Sequence, residues 1–570
     1  MEGVSGNFMG GVISGEANPA LSSDLNEFTE AGYDPQVFDA PIDWAMDADI
    51  QHHRVATDNS WGVVGSVLSG YFEDFYYRIY VLPSELDVGN LVTAQVREIS
   101  VWNAWPYTSQ TLIGADVANA EGIDVELPGD LPLEFRPTSE RIIHLSLSAD
   151  GPSIIDSSLA LEWAGLETIT ITITGRRLQA WPITADWGSP VRETMAWLTE
   201  IQESADGSED REPKRGAPRR SWGFDVVEGR FERRFIENAV FDWAGRIWAL
   251  PVLTDLELLA AALPAGSSTI PADTAGLDFV DGGVALLWSA VNRFELVEIE
   301  AVAADALALA RPTLQDWPAG TRLYPCRSAR LAQAPQWRRK NDRVITAQVE
   351  FDAAEPCDFP AVAPAATYKD IPVLEWRLDE GDDPTASTPR ALNVIDNDVG
   401  LLDVTDLSGL ARGLQSHAFV LHGRAERAQH RSLMYWLEGR AQSLWVPTWA
   451  DDIGLRDTLA AGATTMFVDA AGITTALRGQ PGRRHIRIEL YSGAVYYREV
   501  LASAALDAER ETLLVDAPFD VDLAPGQIRV ISWMALQRQA SDRVEIAHVN
   551  DSHGLARSGT SFTMVGAEEP

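Results

Sequence analysis

Between Phe75 and about Leu178, apolar and polar side chains alternate with a period of two. Tyr76-Tyr77-Arg78-Ile79-Tyr80-Val81 is followed by Val96-Arg97-Glu98-Ile99-Ser100-Val101-Trp102, then by Ile142 to Leu147 and by Thr168 to Thr174. Alternation with β-branched and aromatic content marks half-buried strands. Glu121-Gly122 and Asp150-Gly151-Pro152 supply turns. Several short strands within about 100 residues predict an immunoglobulin-like sandwich. Far downstream, His485 to Leu490 alternates, turns at Ser492-Gly493 and returns through Val495 to Val500, which predicts a hairpin. Val191 to Glu203 reads differently: Met195, Trp197, Leu198 and Ile201 predict a short amphipathic helix. Ser204 to Arg220 then reads as a solvated polar loop. Phe224 to Phe241 has strand or helix character broken at Gly229, and Trp243 to Trp248 leads into Pro251.

The chain also contains itself twice. Pro251, Asp255, Leu263, Ala265, Gly266, Thr269, Asp273, Ala275 and Gly276 return as Pro447, Asp451, Leu459, Ala461, Gly462, Thr465, Asp469, Ala471 and Gly472, each 196 residues later with no gap across 26 positions. Gly245-Arg246, Trp248 and Pro251 are answered by Gly439-Arg440, Trp445 and Pro447. Asp342-Arg343-Val344 returns as Asp542-Arg543-Val544 at an offset of 200, followed by Ala347/Ala547 and Val349/Val549. Self-similarity at fixed spacing sets the architecture before any local pattern does. The repeated residues are scaffold punctuation rather than a nucleophile or a ligand set. Gly266/Gly462 and Gly276/Gly472 are expected at positive φ, which glycine alone adopts without strain.

The predicted fold is mainly β with short helices, in five segments. An acidic N-terminal arm covers 1–74 and the immunoglobulin-like β-sandwich 75–183. A first repeat module covers 184–353, a Pro/Ala-rich linker 354–371 and a second repeat module 372–570.

Composition narrows the function classes. With 46% hydrophobic residues and 19 Trp, the 570-residue chain can build several cores. Its formal charge is −39, from 45 basic and 84 acidic side chains. Such acidity argues against wrapping nucleic acid by phosphate neutralisation. It suits a repulsive wall past which DNA slides, or plain solubility. No stretch reaches the roughly 18–20 apolar residues of a membrane span. The first basic side chain is Arg54, so the start lacks the positive region of a secretory signal. Residues 1–53 carry ten acids and no Lys or Arg, yet Phe8, Phe28, Tyr33, Phe38 and Trp44 are spaced as anchors of an arm lying on a partner. Cys326 and Cys357 have no metal spacing and read as free, partly buried thiols.

Chemistry is sparse at this level. His417, His422 and His430 are spaced by five and eight residues, which does not align them on one helix face. His144 alternates with apolar neighbours as a half-exposed strand residue. Asp396-Asn397-Asp398-Val399-Gly400 lacks the ordered ligand series of a calcium loop and reads as a turn. Gly62, Gly65 and Gly70 lack the context of a phosphate loop. No Gly-x-Ser-x-Gly elbow or His-Glu-x-x-His helix occurs. Catalytic, cofactor-binding and metal residues are therefore expected to be none. Trp248/Pro251 and Trp445/Pro447/Trp449 are expected in the core.

One string carries a resemblance. Glu193 to Trp197-Leu198-Thr199-Glu200, Ser204-Ala205-Asp206-Gly207-Ser208-Glu209-Asp210-Arg211 and Pro218-Arg219-Arg220 resemble tail-tip proteins of long-tailed (siphovirus-type) bacteriophages. So does Gly439-Arg440 to Leu444-Trp445-Val446-Pro447-Thr448-Trp449. The second copy offers Asp379-Glu380-Gly381-Asp382-Asp383-Pro384, which keeps the Gly and loses the Glu-x-Arg. The resemblance implies a distal tail or baseplate-hub protein in the virion, made in the host cytoplasm, with barrel-type modules of the tail-tube kind. Its implied partners are its own copies in a ring (trimer with pseudo-sixfold symmetry or hexamer), the tail tube protein, other hub and fibre proteins and the tape-measure protein, with DNA only in passage. Two further classes stay open: a carbohydrate- or receptor-binding β-protein, and an envelope hydrolase with a spatially assembled site.

Overall fold

The computed structural model describes residues 75–570, apart from Thr93, Ala149, Asp150, Ser153, Ala205, Asp206, Asp382, Arg478, Ser552 and His553. The acidic arm with its spaced aromatics and the glycines at 62, 65 and 70 lie outside the described residues. The chain is mainly β and divides into two compact units. Of the described residues, one holds 75–88 and 94–175, the other 89–92 and 176–570.

The first unit contains the strands that alternation predicts. Ile79–Leu82, Gln95–Asn103, Glu140–Leu147 and Ile123–Glu126 form an antiparallel four-stranded sheet. Glu85–Leu91, Ile169–Arg177, Ile154–Trp163, Gln110–Ala118 and Leu133–Phe135 form a five-stranded one. Ile99, Val101, Ile143 and Leu145 from the first sheet and Leu159, Leu161, Ile171 and Ile173 from the second are buried. Each set keeps the period of two that puts alternate side chains on one face.

In the second unit the same order of elements occurs twice. Strand Arg219–Gly229 runs into helix α1, Arg230–Trp243, then into strand Trp248–Pro251. Strand Leu414–Leu421 runs into helix α2, Gly423–Leu437, then into Ser443–Pro447. An excursion of short strands follows each, and each returns in a long strand, Arg322–Leu331 or Ile528–Gln539, which pairs back onto the strand after the helix. Individual hydrogen bonds recur with the sequence. Leu263 N–H donates to Trp317 O and Leu459 N–H to Leu523 O. Ala265 N–H donates to Asp316 Oδ1 and Ala461 N–H to Asp522 Oδ1. Gly266 and Gly462 have φ of 84° and 82°, Gly276 and Gly472 of 71° and 81°, so the paired glycines serve paired turns.

Several expectations fail locally. Val191 to Glu203 is not a helix but two strands, Val191–Ala196 and Thr199–Glu203. Val191–Ala196 is hydrogen-bonded on both sides, to Arg219–Gly229 and to Arg543–His548, and this tertiary pairing overrides a helical spacing only a few residues long. The supposed loop contains the return strand of a hairpin, Glu209–Pro213. The offset-200 match does not mark equal positions. Val344–Ala353 pairs with the strand before α1, whereas the strand before α2 pairs with Ala556–Met564. The Pro/Ala-rich segment 354–371 runs largely exposed but is anchored on the second half: Cys357 is buried, Tyr435 Oη donates to its carbonyl, and Val362 N–H donates to Ser432 O in α2. Strand pairings in the second unit join into one branched 22-stranded sheet, and among the described residues no barrel closes.

Candidate functional site

Strand alternation places Arg220, Trp222, Phe224 and Val226 on the buried face of Arg219–Gly229. An arginine on a core face needs partners, because an unpaired buried charge is very costly. Arg220 Nε and Nη2 donate to Glu193 Oε1 at 3.0 and 2.7 Å, and Nη1 donates to Asp278 Oδ2 at 2.6 Å. Arg327 clamps the same Asp278 through Nε at 3.1 Å and through Nη2. Asp278 N–H donates to Asp255 Oδ2 at 3.0 Å. All of these residues lie in the first half of the second unit.

The other half closes the network. Arg431 in α2 reaches Asp255 Oδ2 at 3.1 Å and Glu193 Oε2 at 3.5 Å. Arg427 donates to Thr254 O at 2.8 Å. His548 Nε2 lies 3.0 Å from Glu193 Oε2. Nearer the surface, Arg424 pairs with Glu257 at 2.6 Å and with Asp273 at 3.5 Å. The fit is close enough that Gly276 leaves no room for a side chain: a Cβ there would stand 2.9 Å from Ala428 Cβ.

Electrostatics fix the charge states. Burial works against ionising Glu193, but Arg220, Arg431 and the His548 hydrogen bond outweigh it and hold the carboxyl well below its ordinary value. Asp278 is lowered to about 2, burial again being overcome by Arg220 and Arg327. Burial lowers His548, which is therefore neutral and donates from Nε2 to the ionised Glu193. Acids and guanidiniums neutralise one another in the interior, so the arrangement acts as a clamp between the two halves.

The resemblance-bearing string lies along this junction. Glu209 pairs with Arg538 at 2.6 Å, Glu203 pairs with Arg412, and Arg211 donates to Glu568 at 2.5 Å. Thr199 Oγ1 donates to Asp542 Oδ1 at 2.8 Å, and the Trp197 ring meets Tyr435 at 5.8 Å. The second-copy counterpart of this hairpin is not Asp379 to Pro384. It is the hairpin Arg390–Ile395/Asp403–Ala411, which falls between the short strand Ala386–Ser387 and the strand before α2, as the first hairpin falls between Val191–Ala196 and the strand before α1.

The weighed residues fall into separate places. His417 hydrogen-bonds Trp376 O, and His430 is buried against Phe419. His422 opens α2, its N–H donating to Glu426. His144 is half exposed, and Asp396 to Gly400 lies between the two strands of the second hairpin. Cys326 and Cys357 are free and buried, more deeply than their spacing suggested. Trp248, Trp445 and Trp449 are buried, as expected of core residues. Among the described residues no three His, Cys, Asp or Glu side chains gather as an ion site. The clamp itself went unread in the sequence, although Arg220 alternating with Trp222 and Phe224 was its signal. No protein-family model matches the chain, and a search of curated proteins found no match.

Proposed function

We propose that this chain is a structural subunit of a bacteriophage tail tip, a distal-tail or baseplate-hub ring that joins the tail tube to tip and fibre proteins around the DNA channel. The observation that carries the reading is where the resembling residues lie: Glu193, Trp197, Glu209, Arg211 and Arg220 all sit at the junction that makes one block of two like-ordered β modules. A ring under load needs such blocks, and the net charge of −39 supports an acidic channel that repels DNA phosphates. The reading gives the protein no catalytic step. Its first unit is an immunoglobulin-like sandwich decorating the ring, and its modules are tail-tube relatives whose barrels stay open. Imaging of the purified full chain with symmetry analysis tests this. A ring with a central channel and threefold or sixfold symmetry is expected, and a monomer at micromolar concentration with no ring in virions overturns it.

A second reading, recognition of host-surface carbohydrate, is favoured by an aromatic cluster on the first unit. Tyr80 stacks on Trp102 with centroids 5.4 Å apart, Tyr77 meets Trp105 at 6.0 Å, and Tyr107 stands 86% exposed. Full-length protein binding host cells, with binding lost in Trp102→Ala at unchanged melting temperature, is the result this reading requires.

A further inference from the structure

The two halves of the second unit meet edge to edge. Val191–Ala196 of the first half, the donor edge, pairs antiparallel with Arg543–His548 of the second, the receiver. The donor has a counterpart in the second half. Asp186 N–H donates to Asp225 O at 2.7 Å, and Asp379 N–H to Ala418 O at 2.8 Å. Asp186 Oδ1 accepts from Gly188 N–H at 3.1 Å, and Asp379 Oδ1 from Gly381 N–H at 3.0 Å. Glu193 lies opposite Trp222, and Ala386 opposite Gln415. Every second-half residue here stands 193 places after its first-half match, so residues 384–389 answer Val191–Ala196. Their inner edge pairs with Leu414–Leu421. Their outer edge has no partner among the described residues, and all six are exposed.

The receiver has a counterpart in the first half. Val344–Ala353 and Ala556–Met564 each pair with the strand before their own helix and with the returning long strand. Arg338 and Arg339 lie opposite Thr346 and Ile345 of the one, Ala547 and His548 opposite Arg557 and Ala556 of the other. Ala332 N–H donates to Glu350 O as Ala540 N–H does to Ser561 O, and Lys340 N–H to Val344 O as Val549 N–H does to Leu555 O. Residues 334–339 therefore answer Arg543–His548. Their outer edge is also unpaired among the described residues, with Ala334, Gln336, Arg338 and Arg339 exposed. Two halves carry two donors and two receivers, and the internal joint uses one of each.

We propose that residues 384–389 of one chain pair antiparallel with residues 334–339 of a second copy, Ala386 opposite Trp337. Thr385 O accepts from Ser416 N–H and Lys340 N–H points to Val344, so by alternation the main-chain groups of 384, 386 and 388 and of 335, 337 and 339 face outward. Pro384 and Pro335 each remove one donor, towards opposite ends of the ladder, while Ala386 and Trp337 keep both groups. Prolines on an open edge also limit indiscriminate pairing. At the matching rungs Ala386 and Arg339 replace Glu193 and His548. The charge clamp thus has no copy between chains, and this joint is the weaker of the two. The hairpins agree with it. The one after Val191–Ala196 lies on the receiving half through Glu209 and Arg538, 2.6 Å apart. The one after residues 384–389 leaves Leu392, Val394 and Leu407 50%, 52% and 59% exposed, apolar surface for the receiving copy to cover. Donor and receiver differ, so the contact is heterologous and propagates head to tail until it closes. The inference rests on the ring reading and names the edges that make the ring.

Thr385 and Arg338 fall directly opposite in this register, as a pair close enough for a disulfide. Both are exposed, and the native Cys326 and Cys357 are buried. Full-length Thr385→Cys and Arg338→Cys proteins, mixed and oxidised, should give a disulfide-linked dimer on a non-reducing gel, and neither should alone. Both substitutions in one chain should give a covalent ladder that ends at the ring. Ala386→Pro removes the outward donor at the middle rung and leaves the inward bond of Thr385. It should melt with the wild type and assemble about fivefold more weakly by mass photometry. A mixture with no more dimer than either variant alone, or Ala386→Pro assembling like wild type, overturns the proposal and leaves the ring reading standing. A monomeric wild type with no ring in virions overturns both.

Discussion

Arg220 bridges Glu193 and Asp278 with all three charges fully enclosed, so removing it leaves Glu193 to Arg431 and His548, leaves Asp278 to Arg327, and puts one uncompensated negative charge in the interior. Arg220→Met should destabilise the protein by about 3–5 kcal/mol, read from urea unfolding. The same groups set the pH response. A carboxyl whose folded pKa is depressed contributes stability above its unfolded value and loses it as pH falls through the folded one. For Asp278 that window runs from 3.8 down to about 2. Buried neutral histidines act earlier. His417 is lowered to about 4 and His430 to about 3 by burial, whereas the unfolded chain takes up these protons near 6.5. Melting temperature should therefore begin to fall below pH 6.5 and keep falling below pH 4, where Asp278 takes over as His417 completes its protonation. Both ring nitrogens of His430 lack a hydrogen-bond partner among the described residues. His430→Leu should add about 1–3 kcal/mol at neutral pH and make the loss between pH 6 and 4 shallower.

At the scale of elements, α2 is held by close approach as much as by charge. Gly266→Ala and Gly276→Ala both place a side chain at positive φ, but only at 276 does the new Cβ strike a helix. Gly276→Ala should therefore lower the melting temperature clearly more than Gly266→Ala. Trp445 is fully buried, donates to Tyr368 O at 3.0 Å and packs 4.6 Å from the His485 ring. Trp445→Ala should cost about 3–5 kcal/mol in calorimetry.

What the sequence made legible follows from the range of the forces involved. Alternation at 96–102, 142–147 and 485–490 is local, and each became a strand. The repeat carried its glycines to paired turns because φ is a local demand. Val191 to Glu203 misled because its partners are strands far away in the chain, Arg543–His548 lying some 350 residues on. The clamp was hidden for the same reason. Arg220, Asp278, Arg431 and His548 are isolated in sequence and meet only once both halves have folded.

For the molecule as a whole, the two halves of the second unit share strands and counter-ions. Neither half alone satisfies Arg431 or the edge of Arg543–His548. Residues 176–353 and 354–570 expressed as separate chains should be unstable singly and should associate when co-expressed, and the intact segment should melt in one transition. Two transitions at well-separated temperatures would show the halves to be independent. The strand Val191–Ala196 has a mechanical consequence too. It is laced to Arg543–His548 over six residue pairs and to its own half on the other side. Tension along that strand loads all its rungs together in shear, whereas a peeling force opens them one by one. The joint between the halves is thus stiff along one direction and weak across it, and a pulling experiment with handles at 191 and 543, at opposite ends of the ladder, should resist far more force than one that peels from the directly opposed pair 191 and 548.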